Sequence, residues 1–203
     1  MQILRKFLLF TLFAGAAVQV YAATQDIDAG ALSDDKVEVL DVSKPGATGK
    51  SFLAATIINA PIPKLCAIIL NFSVYPAFMP NTDKTTVVES SDNAALIDMT
   101  LALPLGKVKK YRLKMESVTN PQSCHLSWKL VPRPDLKTAE TIADTTGYWK
   151  MTPHPADPAK TVVKYFVYSD PGPVPLGLGW IVDAMGKDSL PKTLEALRTK
   201  AAR

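Results

Sequence analysis

After Asn81 the chain alternates apolar and polar residues for most of about ninety positions, and a chain with that period folds as a sheet with one covered face. Six runs carry the alternation: TTVVES, AALIDMTLAL, KVKKYRLKMES, SCHLSWKLV, TIADTTGYWKM and KTVVKYFVYS. They are parted by turn-rich pieces such as SSDN, LPLGK and TNPQ. Ile97, Met99, Leu101 and Leu103 share one face. Tyr111, Leu113 and Met115 share the inner side of the next run, against Lys110, Arg112, Lys114 and Glu116 on its wet side. The last run halts at DPGPVP, Asp170 to Pro175, because proline cannot donate to a ladder; Pro175 suits the first position of a helix.

The covered face needs a cover, and Leu176 to Ala202 is the only long helical candidate. Leu178, Ile181, Met185, Leu194 and Leu197 mark its apolar stripe, with Asp183, Lys187, Lys192 and Arg198 on the other side. Gly186 and Pro191 predict a bend. Ahead of the alternation, KVEVLDV and SFLAATIINA flank the loop SKPGATGK as an antiparallel pair. Leu65, Ile68 and Ile69 then have helical spacing, and NFSVYPAFMPN reads as a second short helix or turn. The order is strand, two short helices, six strands, helix: an α+β chain with an antiparallel sheet of about seven strands and one long terminal helix. Asp26 to Asp35 is polar and acidic, so residues 23–36 read as a mobile lead-in.

The opening MQILRKFLLFTLFAGAAVQVYA has Arg5 and Lys6, an apolar run and small residues before a cut after Ala22, the pattern of a secretory signal peptide covering residues 1–22. The run is shorter than the ~20 residues a span requires, which favours cleavage over anchoring. Export places the protein in a periplasm or outside the cell. The formal charge falls from +4 to +2, since the removed piece takes two of 23 basic residues and none of the 19 acids. That balance does not announce nucleic acid. Cys66 and Cys124 could pair in an oxidising compartment; the favoured reading is two small buried apolar residues, because a domain of residues 37–203 has core enough without a staple. There is no CxxC, and His125 and His154 stand apart, so no metal or cofactor is expected.

The stretches INAPIPKLCAIILNFSVYPAFMPN and GYWKMTPHPADPAKTVVKYFVYSDPGPVP, in this order, resemble the START-like (SRPBCC) superfamily, the helix-grip or START/Bet v 1-like group that includes polyketide cyclases and coenzyme Q-binding proteins. The first shows strand, Ala-Pro, helix and a proline-flanked aromatic. The second shows Gly-x-Trp, Pro, Thr-x-Val-x-Tyr and a proline-rich lead into the last helix. The resemblance spans roughly Val37 to Arg198; Asn71-Phe72 departs from it where an acidic residue and an aromatic are common. It implies a curved sheet gripping the terminal helix, with an apolar cavity between them, and leaves the chemistry open.

Catalytic residues are hard to find. His125 alternates against Cys124, Leu126 and Trp128 and so points away from the covered face. His154 falls in a turn, and Asp98 and Asp144 lie opposite the apolar registers, where solvent is expected. The apolar inventory is ample instead: Phe72, Tyr75, Phe78 and Met79 near the second helix, then Met99, Leu101, Tyr111, Leu113, Met115, Trp128, Trp149 and Tyr165 facing inward, and Ile181 and Met185 on the terminal helix. Each alone would serve in an ordinary core. As a set they could line a pocket for an apolar or amphipathic, lipid-like molecule. Glycines 177 and 179 would let the helix or a guest approach closely. Leu103, Pro104 and Leu105 beside Lys107, Lys109 and Lys110 could touch an anionic membrane, although such lysines are usually the wet face of a strand. The expectation is a non-enzymatic binder or carrier; the alternative is a cyclase-, dehydratase- or hydrolase-like enzyme using the same cavity.

Overall fold

The computed structural model describes residues 26–173 and 187–203. Eight antiparallel strands form one sheet: β1 (Glu38–Asp41), β2 (Lys50–Ile58), β3 (Thr82–Ser90), β4 (Ala94–Ala102), β5 (Val108–Asn120), β6 (Ser123–Val131), β7 (Asp144–His154) and β8 (Asp157–Asp170). Their order is β1-β2-β8-β7-β6-β5-β4-β3. The count is eight against the expected seven or so, and β1 and β2 form the antiparallel pair read in KVEVLDV and SFLAATIINA, with β1 a short edge piece paired from Glu38↔Ala55 to Asp41↔Phe52. The chain passes from β2 to the far edge through helix α1 (Ile62–Leu70) and the 3-10 helix Phe72–Ala77, then returns strand by strand until β8 closes on β2.

Helix α1 starts on two prolines, Pro61 as its cap and Pro63 in the first turn, where a missing N–H costs nothing. Its buried residues Ile62, Leu65, Cys66 and Ile69 repeat at three and four, and this stripe lies on the sheet. Cys66 sits within the stripe, and the contact brings it to Cys124 of β6 with Cα atoms 5.9 Å apart. The two form a disulfide. The favoured reading of two free thiols is therefore wrong. Both side chains are buried as expected, but they face each other at bridging distance.

Helix α2 (Ser189–Ala201) buries Leu190, Thr193, Leu194, Leu197 and Ala201 against the same inner face. Pro191 does not bend it, because the helix begins at Ser189 and the proline falls in its first turn. The expectations for Pro175, Gly177, Gly179, Ile181, Met185 and Gly186 lie outside the described residues. Arg198 ties the helix to the sheet, with Nη2 donating to Thr56 Oγ1 at 2.6 Å.

Residues 26–36 are docked, where composition predicts a mobile lead-in. Leu32 packs with Ala55, Ile57 and Val162 on the outer face of β2 and β8, and Asp34 and Asp26 pair with Lys160 and Lys164 at 2.8 and 2.7 Å. Covered on both sides, β2 is buried almost continuously and loses the alternation of a half-wet strand.

Asp98 is a second correction on the outer face: it is not simply solvated. Arg112 donates to it through Nε at 2.6 Å and Nη2 at 2.9 Å, and Arg133 Nη1 lies 2.9 Å from Oδ2. The bidentate hydrogen bonds from Arg112 hold its carboxyl below the usual range, with Arg133 adding to the effect. A depressed folded value gives stability that is full above the unfolded value of about 3.9 and is lost as pH falls below it. Asp98→Asn should therefore cost about 1 kcal/mol or less at pH 7 and less again at pH 2, read by urea unfolding at both. An equal cost at both pH values would contradict the ionic origin.

Candidate functional site: a cavity open at one end of the sheet

Between the inner face and α2 lies a cavity of about 360 Å³. β4 supplies Met99 and Leu101, β5 supplies Tyr111, Leu113 and Met115, and β6, β7 and β8 supply Trp128, Trp149 and Tyr165. Tyr75 and Met79 close it from the 3-10 helix and the turn after it. The alternation that makes the strands thus brings these expected residues together, each at an inward register.

Phe72 and Phe78 are not in the lining. Phe72 borders a separate space of about 110 Å³ beside Asp92 and Asn93. Phe78 packs beside the core, with Lys200 Nζ 5.9 Å from its ring centre. Both meet Tyr75 edge-on, at 5.7 and 5.6 Å, and of the three only Tyr75 reaches the cavity. Of the polar candidates, Asp144 is exposed and His125 is on the outer side against Tyr148, at 5.6 Å, while Cys124 is oxidised. His154 ends β7 with a buried Nδ1 that has no partner among the described residues, away from the lining.

The cavity has a polarity. At the edge where β2, β5 and β7 begin and β4 and β8 end, its lining is Lys50, Lys107, Lys109, Thr145 and Ser169. Lys50 and Lys107 reach solvent, so this end is the mouth. At the opposite end, Leu126, Met151 and Leu197 are fully buried and the disulfide joins α1 to β6. Sequence reasoning missed the mouth lysines. The signal was present: Lys107 and Lys109 are in register with Tyr111, so the alternation carried two steps back puts them inward, with Val108 and Lys110 outward. Lys109 Nζ donates to the Thr141 carbonyl at 2.6 Å, and desolvation lowers its pKa.

Inside the mouth, Tyr165 lies between two indoles, 4.3 Å from Trp149 and 5.5 Å from Trp128. Neither its hydroxyl nor that of Tyr111 has a hydrogen-bond partner among the described residues, whereas Tyr75 donates to the Ile69 carbonyl at 2.6 Å. Burial pushes Tyr111 up to about 12 and raises Tyr165 as well, so both phenols stay protonated at neutral pH and can donate to a guest's oxygen. The described lining contains no carboxylate, imidazole or thiol. Among the described residues no cluster of side chains could hold a metal ion.

A sheet wrapped over helices with an end-opening apolar cavity is the START-like, SRPBCC helix-grip fold, and solved structures of that fold align along most of this chain. A STAR-related lipid transfer protein from Xanthomonas axonopodis matches at TM-score 0.70 and 16% identity, over 83% of this chain and 95% of that one. Human StAR-related lipid transfer protein 5 matches at 0.67 and 12%, over 83% of each chain. The Zhui aromatase/cyclase from Streptomyces sp. R1128 matches at 0.60 and 10%, over 82% of this chain and 94% of that one. At such identities the likeness is one of fold. No family model and no curated protein matches the sequence.

Proposed function

We propose that the protein is an exported binder or carrier of an apolar or amphipathic, lipid-like small molecule, held between the sheet and the terminal helix. The observation that carries this reading is the cavity itself, lined by aromatic rings and methionines and open to solvent at one end. Burying the guest's apolar surface contributes ~25 cal/mol per Å², and the two unpartnered phenols orient it. The lipid transfer proteins of like fold support the same reading. Export is supported by the leader-like opening and by the disulfide, which persists in oxidising compartments. The tip between β4 and β5, adjoining the mouth, is where a carrier would meet a membrane.

Native mass spectrometry and solvent extraction of protein purified from its own host test the proposal. A co-purifying hydrophobic molecule is expected, on a chain that begins after Ala22. Protein that neither retains nor takes up any such molecule would refute it.

A second reading, a cyclase- or dehydratase-like enzyme, is favoured by Tyr111 and Tyr165 acting as paired donors and by the aromatase/cyclases of like fold. The molecule's fate separates the two. A carrier returns it unchanged, whereas an enzyme converts it, and Tyr111→Phe then slows the conversion.

A further inference from the structure

We propose that the cavity's guest is a single-chain amphiphile with an anionic head group, a carboxylate or a phosphate, seated among Lys50, Lys107 and Lys109 at the mouth. This rests on the binding reading above and narrows the class of ligand.

Strand β5 grades the floor of the cavity. From the mouth, Lys107 just before the strand and then its inward residues Lys109, Tyr111, Leu113 and Met115 give two cations, a phenol, then hydrocarbon and thioether. At ~3.3 Å per residue this series extends over ~26 Å, the dimension of an extended amphiphile. Lys50 adds a third cation from β2. The described lining holds no carboxylate, and no described carboxylate forms an ion pair with any of the three lysines. Described acids close by are otherwise placed: Asp41 is close enough to feel Lys50 and accepts the Ser43 amide, Asp170 accepts the Gly172 amide, Glu140 accepts the Lys137 amide, and Asp144 is exposed and outside the lining. Among the described residues the lining of the mouth thus carries charge of one sign, which draws anions and repels cations.

The charge at Lys109 is also oriented. Its Nζ gives one of three protons to the Thr141 carbonyl, which fixes the ammonium inside the mouth and leaves two donors for a head group. Volume limits the tail. About 360 Å³ is near the low end of the 300–1,000 Å³ typical of small-molecule pockets, which suits one alkyl chain and not two.

Calorimetric titration of the disulfide-bonded protein with four probes of equal chain length tests this: dodecanoate, dodecyl phosphate, dodecanol and dodecyltrimethylammonium. Both anions are expected to bind about tenfold tighter than dodecanol, with the cation weakest, and added salt should erode only the anions' advantage. The ranking of the two anions distinguishes a carboxylate head from a phosphate. Lys107→Glu combined with Lys109→Glu should remove the preference for anions; the salt dependence of the wild type decides the matter even if that variant folds poorly. Dodecanol binding as tightly as the anions would overturn the head-group assignment and leave the binding reading standing. Failure of all four probes to bind would overturn both.

Discussion

Removing the Cys66–Cys124 bridge lowers the melting temperature by roughly 10 °C, the largest single effect expected for this chain. The bridge closes a loop across a sequence separation of 58. A cross-link over that length restricts the unfolded chain by about 4 kcal/mol in the loop-entropy account. For a domain of this size each kcal/mol moves the midpoint by about 2–4 °C. The test compares wild type with and without reductant against Cys66→Ala combined with Cys124→Ala. Reductant should shift the wild type and leave the variant where it is. A loss below about 1 kcal/mol would show that packing of Leu65 and Ile69 alone holds α1 to the sheet. The bridge lies at the closed end, so dodecanoate affinity in the still-folded variant should stay within about threefold of wild type.

The second large effect is expected at Gly147. A Cβ there would lie 2.3 Å from Trp128 Cζ2 and 2.4 Å from the Phe166 carbonyl oxygen. One obstacle is an indole that forms the cavity wall; the other is backbone of the neighbouring strand, which cannot yield without breaking the ladder between β7 and β8. Gly147→Ala should therefore cost about 3 kcal/mol, the upper part of the range for overpacking, as measured by urea unfolding. It should also weaken dodecanoate binding, since the easier escape for Trp128 is into the cavity. Adding Trp128→Leu removes one of the two clashes and should recover part of the stability. A single variant within about 1 kcal/mol of wild type would mean that the strands shift more easily than this contact allows.

The sheet, its inner registers and the covering helix were legible because alternation survives wherever one face is wet. Tyr111, Leu113 and Met115 are the clearest case. The reading failed where that condition failed. Strand β2 is buried on both faces because the lead-in crosses behind it, and nothing in the acidic composition of Asp26 to Asp35 marks Leu32 as the residue that docks. Phe72 and Phe78 were grouped with Tyr75 by composition, yet they stand at the two ends of the 3-10 helix and meet its ring edge-on, so that of the three only Tyr75 reaches the cavity. The disulfide needed the third dimension, since it depends on which face of β6 meets α1. Asp98 was placed on its correct face, but the two arginines that hold it come from β5 and from the segment beyond β6, a convergence that no local pattern encodes.

The pairing of β2 with β8 sets a condition on how the chain reaches this state. The ladder from Lys50↔Ser169 to Ile58↔Thr161 joins segments roughly a hundred residues apart, while every pairing from β3 to β8 is between neighbours. A growing or translocating chain can assemble the meander early, but β2 must wait, its long apolar run unpaired, until nearly the last strand has emerged. Slow, aggregation-exposed maturation is the kinetic cost of a sheet whose early strand β2 finds its partner only in the late strand β8.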